Sequence, residues 1–143
     1  MTPERQLIAD ATAKSPYGSH LGLACREMAD DLAIFDMAYD PRLTTIGTMV
    51  HGGAIASLVD AAATAAAWAT PALPENPRGS TIGFAINYLN AALEQDLTAT
   101  ARTIRRGGSV VVVQVEIADP HNTPIAVATV TYKLSGKPSA KSA

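Results

Sequence analysis

The period of apolar and polar positions changes several times along the chain. Residues 3–14 read as a short helix that stops before Pro16, because the residue ahead of a proline is pushed out of helical geometry. Two strand-like runs follow, GLACREMA and LAIFDMAYD, joined at Asp30-Asp31. In the second run Phe35, Met37 and Tyr39 alternate onto one face. A loop, PRLTTIGTM, leads into a helix over residues 52–69, and the Pro/Gly-rich PALPENPRGS ends it. Four further strands are predicted. STIGFAINYLN sets Ile82, Phe84, Ile86 and Tyr88 against small Thr81, Gly83 and Ala85. LTATARTIRR turns through Gly107-Gly108 into SVVVVQVEIAD, and PIAVATVTYKL follows the turn PHNT.

The helix over 52–69 is apolar on every side, so it must be covered all round. A curved antiparallel sheet wrapped around it, the last four strands forming a meander, is the economical arrangement, giving an α+β fold. Residues 1–143 are expected to make one domain, with an N-terminal helical segment over 1–15 and a disordered tail over 136–143.

Composition narrows the function classes. Hydrophobic residues make up 48% and charged residues 17%, and the formal net charge is −2 with the cations dispersed, so nothing suggests a nucleic-acid surface. The single cysteine, Cys25, rules out an internal disulfide and fits a reducing compartment. Histidines at 20, 51 and 121 are scattered, and no metal site is expected. The N-terminus carries charges where a signal peptide would be apolar, and the run Ala61–Ala69 is too short to span a bilayer. The expectation is a soluble, cytoplasmic protein with no membrane partner.

Candidate chemistry gathers on MVHGGAIASLVD. Between Ala54 and Ala69 the helix carries one ionisable side chain, Asp60. A buried carboxylate is costly, and helix interiors disfavour Asp. It is either satisfied by neighbouring backbone or hydroxyl groups or kept for function, where desolvation would raise its pKa toward that of a general base. Gly52 and Gly53 open the helix, leaving N–H groups unobstructed at the positive end of its dipole, suited to an oxyanion or a polarised carbonyl. The glycines could equally just permit a tight turn. Eight to nine residues at ~1.5 Å each put Asp60 roughly 12–13 Å from the helix start, too far for both to act on one carbonyl within one chain. Two helices antiparallel across a two-fold axis would bring them together, so the spacing suggests a site shared in a symmetric dimer.

HGGAIASLVDAAATAAAWA resembles the central helix of hotdog-fold acyl-CoA thioesterases, specifically the PaaI-like (phenylacetate-pathway type) group. The resemblance runs from SPYGSHLGL through STIGFAINYLNAAL to RRGGSVVVVQVEIADPHNTPIAVATVTYKL. It implies the hotdog fold, hydrolysis of an acyl-CoA thioester to free acid and CoA, and a homodimer or a homotetramer built as a dimer of dimers. No separate cofactor is implied, since coenzyme A is part of the substrate. By resemblance, the Gly52 N–H meets the thioester carbonyl, His51 supports that loop, and Gly53 is a further substrate contact. Asp60 of the partner acts as general base or nucleophile, and Thr81 holds the attacking water. Many relatives carry an Asn about six residues before the motif His, where this chain has Thr44 and Thr45; Thr45 is the candidate contact there. Arg102, Arg105 and Arg106 could meet the nucleotide phosphates, and Trp68 and Met49 could line an acyl tunnel. A non-catalytic acyl-CoA-binding module and a hotdog hydratase or dehydratase are the competing functions.

Overall fold

In the computed structural model, residues 1–137 are described. The chain opens with α1 (Pro3–Ala13), whose N-cap Thr2 accepts the Arg5 N–H. Pro16 does not simply end this region. It is the first residue of a second short helix, α2 (Pro16–Leu21), capped by the Ser15 hydroxyl accepting from the Gly18 N–H at 3.0 Å. Proline suits that first position, because its missing N–H would have no partner there anyway. Gly22, at φ 70°, closes α2 in the left-handed conformation and releases the chain into the sheet.

Six strands follow in chain order: β1 (Leu23–Ala29), β2 (Leu32–Met37), β3 (Glu75–Tyr88), β4 (Leu97–Arg106), β5 (Val110–Ala118) and β6 (Pro124–Lys137). Between β2 and β3 lie a one-turn 3-10 helix, Pro41–Leu43, and the long helix α3 (Gly52–Trp68). All strands pair antiparallel in one sheet, in the spatial order β1-β2-β4-β5-β6-β3. The α+β arrangement of a curved sheet around a helix is as expected, but the last four strands are not a meander. β3 does not pair with β4; it lies on the far edge beside β6, and residues 89–96 carry the chain back to β4. That return is pinned by Leu89 N–H to Ile125 O at 2.8 Å and by Val50 N–H to Ala92 O at 2.9 Å.

β3 also begins earlier than its Pro/Gly-rich sequence suggests. Glu75 pairs with Lys137 and Arg78 with Ser135, so Asn76 and Pro77 stand in a bulge. A proline without an N–H is tolerated at such an edge position. The same pairing carries β6 through Lys137, into the stretch expected as tail; residues 138–143 lie outside the described residues.

The core sits between α3 and the concave sheet face. Phe35, Leu58, Val59, Val113, Val115 and Val130 are fully enclosed, and the alanines of α3 bring helix and sheet close together. Burying one such large side chain is worth ~1.5–3 kcal/mol, so this layer holds the helix in place. Coverage of α3 is incomplete, contrary to its all-round apolar sequence. Ser57, Asp60, Ala61, Thr64 and Trp68 form a partly open stripe at helical spacing. In the single chain, β3 leaves Ile82, Phe84 and Tyr88 exposed on the sheet's edge, with Leu89 exposed just after it.

Candidate active site

His51 is the N-cap of α3. Its Nδ1 accepts the Gly53 N–H at 2.7 Å, which leaves the proton of a neutral imidazole on Nε2. Gly53 is needed for this cap, because a Cβ there would stand 2.9 Å from His51 Nδ1. The His51 N–H donates to Leu43 O at 2.7 Å, tying the cap to the 3-10 turn. Tyr88, on β3, donates its hydroxyl to Gly52 O at 2.6 Å, and its ring fills the space a residue-52 side chain would enter. The N–H of Gly52 has no acceptor among the described residues. It stands at the positive end of the helix, where an oxygen carrying partial negative charge is favoured.

Asp60 is partly buried in the single chain, so the burial cost argued from the sequence is only partly incurred there. The Thr81 hydroxyl donates to Asp60 Oδ1 at 2.6 Å. Thr81 was expected to share its face with Gly83 and Ala85, but a bulge at Ile82 changes that. Thr81 pairs with Tyr132 and Gly83 with Thr131, so one extra residue sits on β3. Inward-facing positions switch from Gly79 and Thr81 to Phe84, Ile86 and Tyr88, whose partners Val130, Ala128 and Ala126 are all buried. One strand thereby sends Thr81 to the carboxylate and Tyr88 to the helix start.

The two halves open into different hollows. Asp60 lies on the wall of a cavity of 540 Å³ between α1–α2 and the open stripe of α3, with Trp68 and Tyr132 alongside. Trp68 Nε1 donates to the Tyr132 hydroxyl at 2.8 Å, and burial pushes the Tyr132 phenol up from its ordinary pKa, so it stays neutral. Gly79 makes room for this pair, since a Cβ would run into both side chains. Gly52 borders a second hollow of 350 Å³ with Thr45, Met49, Ile55, Tyr88 and Ala92. Trp68 and Met49 therefore serve separate hollows of the chain. Thr44 donates its hydroxyl to Pro41 O at 2.7 Å, and the Thr45 N–H donates to Met49 O at 2.9 Å.

The three arginines divide. Arg106 is held in place: it pairs with Asp31 at 2.7 Å and donates to Ala67 O at 2.9 Å, closing the C-terminal end of α3. Its guanidinium is thus committed within the fold, a departure from the expectation that all three face phosphates. Arg102 and Arg105 are exposed on β4, with a register shift between Thr103 and Arg105. Among the described residues no group of His, Cys, Asp and Glu is placed to hold a metal, and no helix is long and apolar enough to cross a membrane.

Tyr88, Ser57 and Tyr17 were missed from the sequence. Ser57 donates to Gly53 O at 2.8 Å and shares a 2.9 Å hydrogen bond with the Tyr17 hydroxyl, linking α2 to the first turns of α3. Only the long-range pairing reveals these contacts; the sole local signal was Ser57 four residues after Gly53.

The profile of the acyl-CoA thioesterase N-terminal domain family matches residues 39–133. A Halobacterium salinarum protein that carries an esterase name is 31% identical over 108 residues, spanning 73% of this chain and 71% of its own. Among solved structures, a Haemophilus influenzae thioesterase superposes with a TM-score of 0.83 at 21% identity, covering 95% of this chain and 92% of that one. Zebrafish thioesterase superfamily member 2 gives 0.79 at 25% identity over 92% and 95% of the two chains. A Streptococcus pneumoniae thioesterase protein solved with coenzyme A gives 0.74 at 20% identity over 94% and 97%. The wrapped-helix architecture is the hotdog fold of these proteins.

Proposed function

Because this chain belongs to the family of acyl-CoA thioesterase N-terminal domains, we propose that it hydrolyses acyl-CoA thioesters to the free acid and CoA. The observation that carries the reading is the Asp60 carboxylate, held at 2.6 Å by Thr81 on the wall of an apolar cavity, on the helix that begins His51-Gly52-Gly53. With its hydrogen bond donated to Oδ1, Thr81 keeps lone pairs for a water, and Asp60 Oδ2 is open to take that water's proton. The water oxygen attacks the thioester carbonyl carbon, and charge moves onto the carbonyl oxygen facing the Gly52 N–H. The C–S bond then breaks, and the thiolate of CoA leaves. Attack by Asp60 itself through a mixed anhydride uses the same groups. The PaaI-like group, to which the motif is similar, is the subfamily we assign.

The site is completed by a second copy. Asp60 and the Gly52 N–H are eight residues apart, about 12 Å along the helix, and open into different hollows. Among the described residues the outer edge of β3 has no strand beside it, and it exposes Ile82 and Tyr88, with Leu89 just beyond. An apolar strand edge is a template for pairing with another chain. Two β3 edges joined antiparallel across a two-fold axis would set the two α3 helices side by side in opposite directions, with each Asp60 toward the other chain's Gly52. Two such dimers would make the tetramer. Arg102 and Arg105 are the exposed cations offered to the phosphates of CoA; a thioesterase protein solved with coenzyme A is among the fold's neighbours.

The test is Asp60→Asn, which keeps shape and removes the base. Release of free thiol from the best acyl-CoA should fall on the order of 10²–10⁴-fold. A loss under about tenfold would make Asp60 structural and the mechanism wrong.

A further inference from the structure

We infer that the cavity between α1–α2 and α3 receives the acyl group, and that the substrate is an uncharged, largely apolar acyl chain or ring larger than acetyl. The inference rests on the thioesterase reading and names its substrate class.

A water activated by Asp60 must attack a carbon close to that carboxylate, so whatever hangs from the carbonyl must find room beside Asp60. The room there is the cavity of 540 Å³. A cavity of about 150 Å³ already accepts a benzene molecule, so this one has space for a ring with several methylenes, or for a medium-length chain. An acetyl group would leave most of it unfilled.

The wall fixes the chemistry. Leu7, Ile8, Ala11, Leu21, Ala61 and Trp68 present apolar surface. Trp68 Nε1–H already donates to the Tyr132 hydroxyl, so the indole demands no polar substituent. Among the described residues of the single chain, no lysine, arginine or histidine borders the cavity, and Asp60 is its one carboxylate. An acyl group ending in a second carboxylate would find no counter-ion and would face repulsion from Asp60. Much of this wall is α1 and α2, which precede the family-matched residues 39–133. Acyl size is therefore read by α1 and α2 together with the open stripe of α3.

Trp68 is the sole tryptophan and borders the cavity, so its fluorescence reports occupancy without turnover. The experiment titrates the whole protein with non-hydrolysable thioether analogues of acetyl-, hexanoyl-, decanoyl- and glutaryl-CoA, and assays thiol release from the matching thioesters. Affinity should rise about fourfold per buried methylene from acetyl to hexanoyl. Glutaryl should bind at least about tenfold more weakly than hexanoyl. Ala11→Phe, at an exposed wall position, and Ala61→Leu should each lower kcat/KM for decanoyl about tenfold while acetyl changes less than about threefold. A flat chain-length profile, a preference for glutaryl, or variants that lower all substrates alike would overturn the assignment. Length-dependent quenching without thiol release would overturn the hydrolase reading and uphold the cavity. Thiol release that ignores chain length would do the reverse.

Discussion

The Thr81 hydroxyl reaches Asp60 Oδ1 at 2.6 Å because β3 carries one extra residue at Ile82. Without that bulge, the strand could not send both Thr81 and Tyr88 toward α3. The hydroxyl donates to the carboxylate and can accept from a water, which in the proposed reaction would fix where the attack comes from. Thr81→Ser should keep most activity. Thr81→Val, nearly isosteric but unable to hydrogen-bond, should lose on the order of tenfold or more, chiefly in kcat, if the hydroxyl serves the attacking water as proposed and not ground-state binding. Steady-state kinetics of both variants decides it. Equal rates for Ser and Val would remove the hydroxyl from the reaction, and a rise in KM alone would move Thr81 to substrate binding.

His51 caps α3. Its Nδ1 holds the Gly53 N–H at 2.7 Å, which leaves the Gly52 N–H as the unclaimed donor of the first turn. Asn is a good N-cap, so His51→Asn should keep stability within a few tenths of a kcal/mol, whereas His51→Ala should lose about 1 kcal/mol. If His51 only shapes the turn, activity will follow the cap, with Asn well above Ala. If Asn and Ala are equally inactive while their melting temperatures differ, the imidazole takes a direct part in the chemistry.

Much of this was legible locally. The apolar period of α3, the alternation of β2 and β5, and the His-Gly-Gly followed by Asp60 are short-range signals that survive into the structure. What was not legible depends on distant partners. Pro16 was read as a stop and is the start of α2, because Ser15 before it supplies a cap. Placing β3 beside β6 rather than β4 depends on sheet closure, which no local pattern encodes. The Ile82 bulge exists only relative to β6, so the face of Thr81 could not be read by counting alternate residues. Arg106 looked like its exposed neighbours in sequence, yet Asp31 and the end of α3 claim it.

That division of the arginines is testable. Arg106→Met removes a cation from a helix C-terminus together with its ion pair, so it should cost about 1 kcal/mol or somewhat more. The melting temperature would fall by about 3–5 °C, with kcat and KM near wild type in the folded protein. Arg102→Ala and Arg105→Ala should do the opposite: stability held within about 0.5 kcal/mol, KM for acyl-CoA raised, and the rise diminished at high salt. A raised KM in Arg106→Met with unchanged stability would show that its inward partners are dispensable and that it reaches the coenzyme.

The proposed sharing of the site between two chains gives the most discriminating prediction. Asp60→Ala removes the base from one chain. Gly52→Pro removes the N–H from another at the first residue of α3, where the extended His51 ahead of it, at ψ 134°, suits a proline, while Tyr88, 3.3 Å from a Cβ at 52, must give way to the ring. Each homodimer lacks one element in both sites and should be inactive. In a heterodimer, one site carries both lesions and the other carries none, because Asp60 of the Gly52→Pro chain meets Gly52 of the Asp60→Ala chain. Random pairing makes about half the dimers mixed and restores one site in each, so co-expressed chains should recover about a quarter of wild-type activity. Tagging the two chains differently and isolating the mixed species should raise recovery to about half. A purified heterodimer with no activity would mean that each Asp60 serves its own chain's helix start. The 12 Å estimate along α3 would then have to be bridged by some movement of the helix or of the substrate.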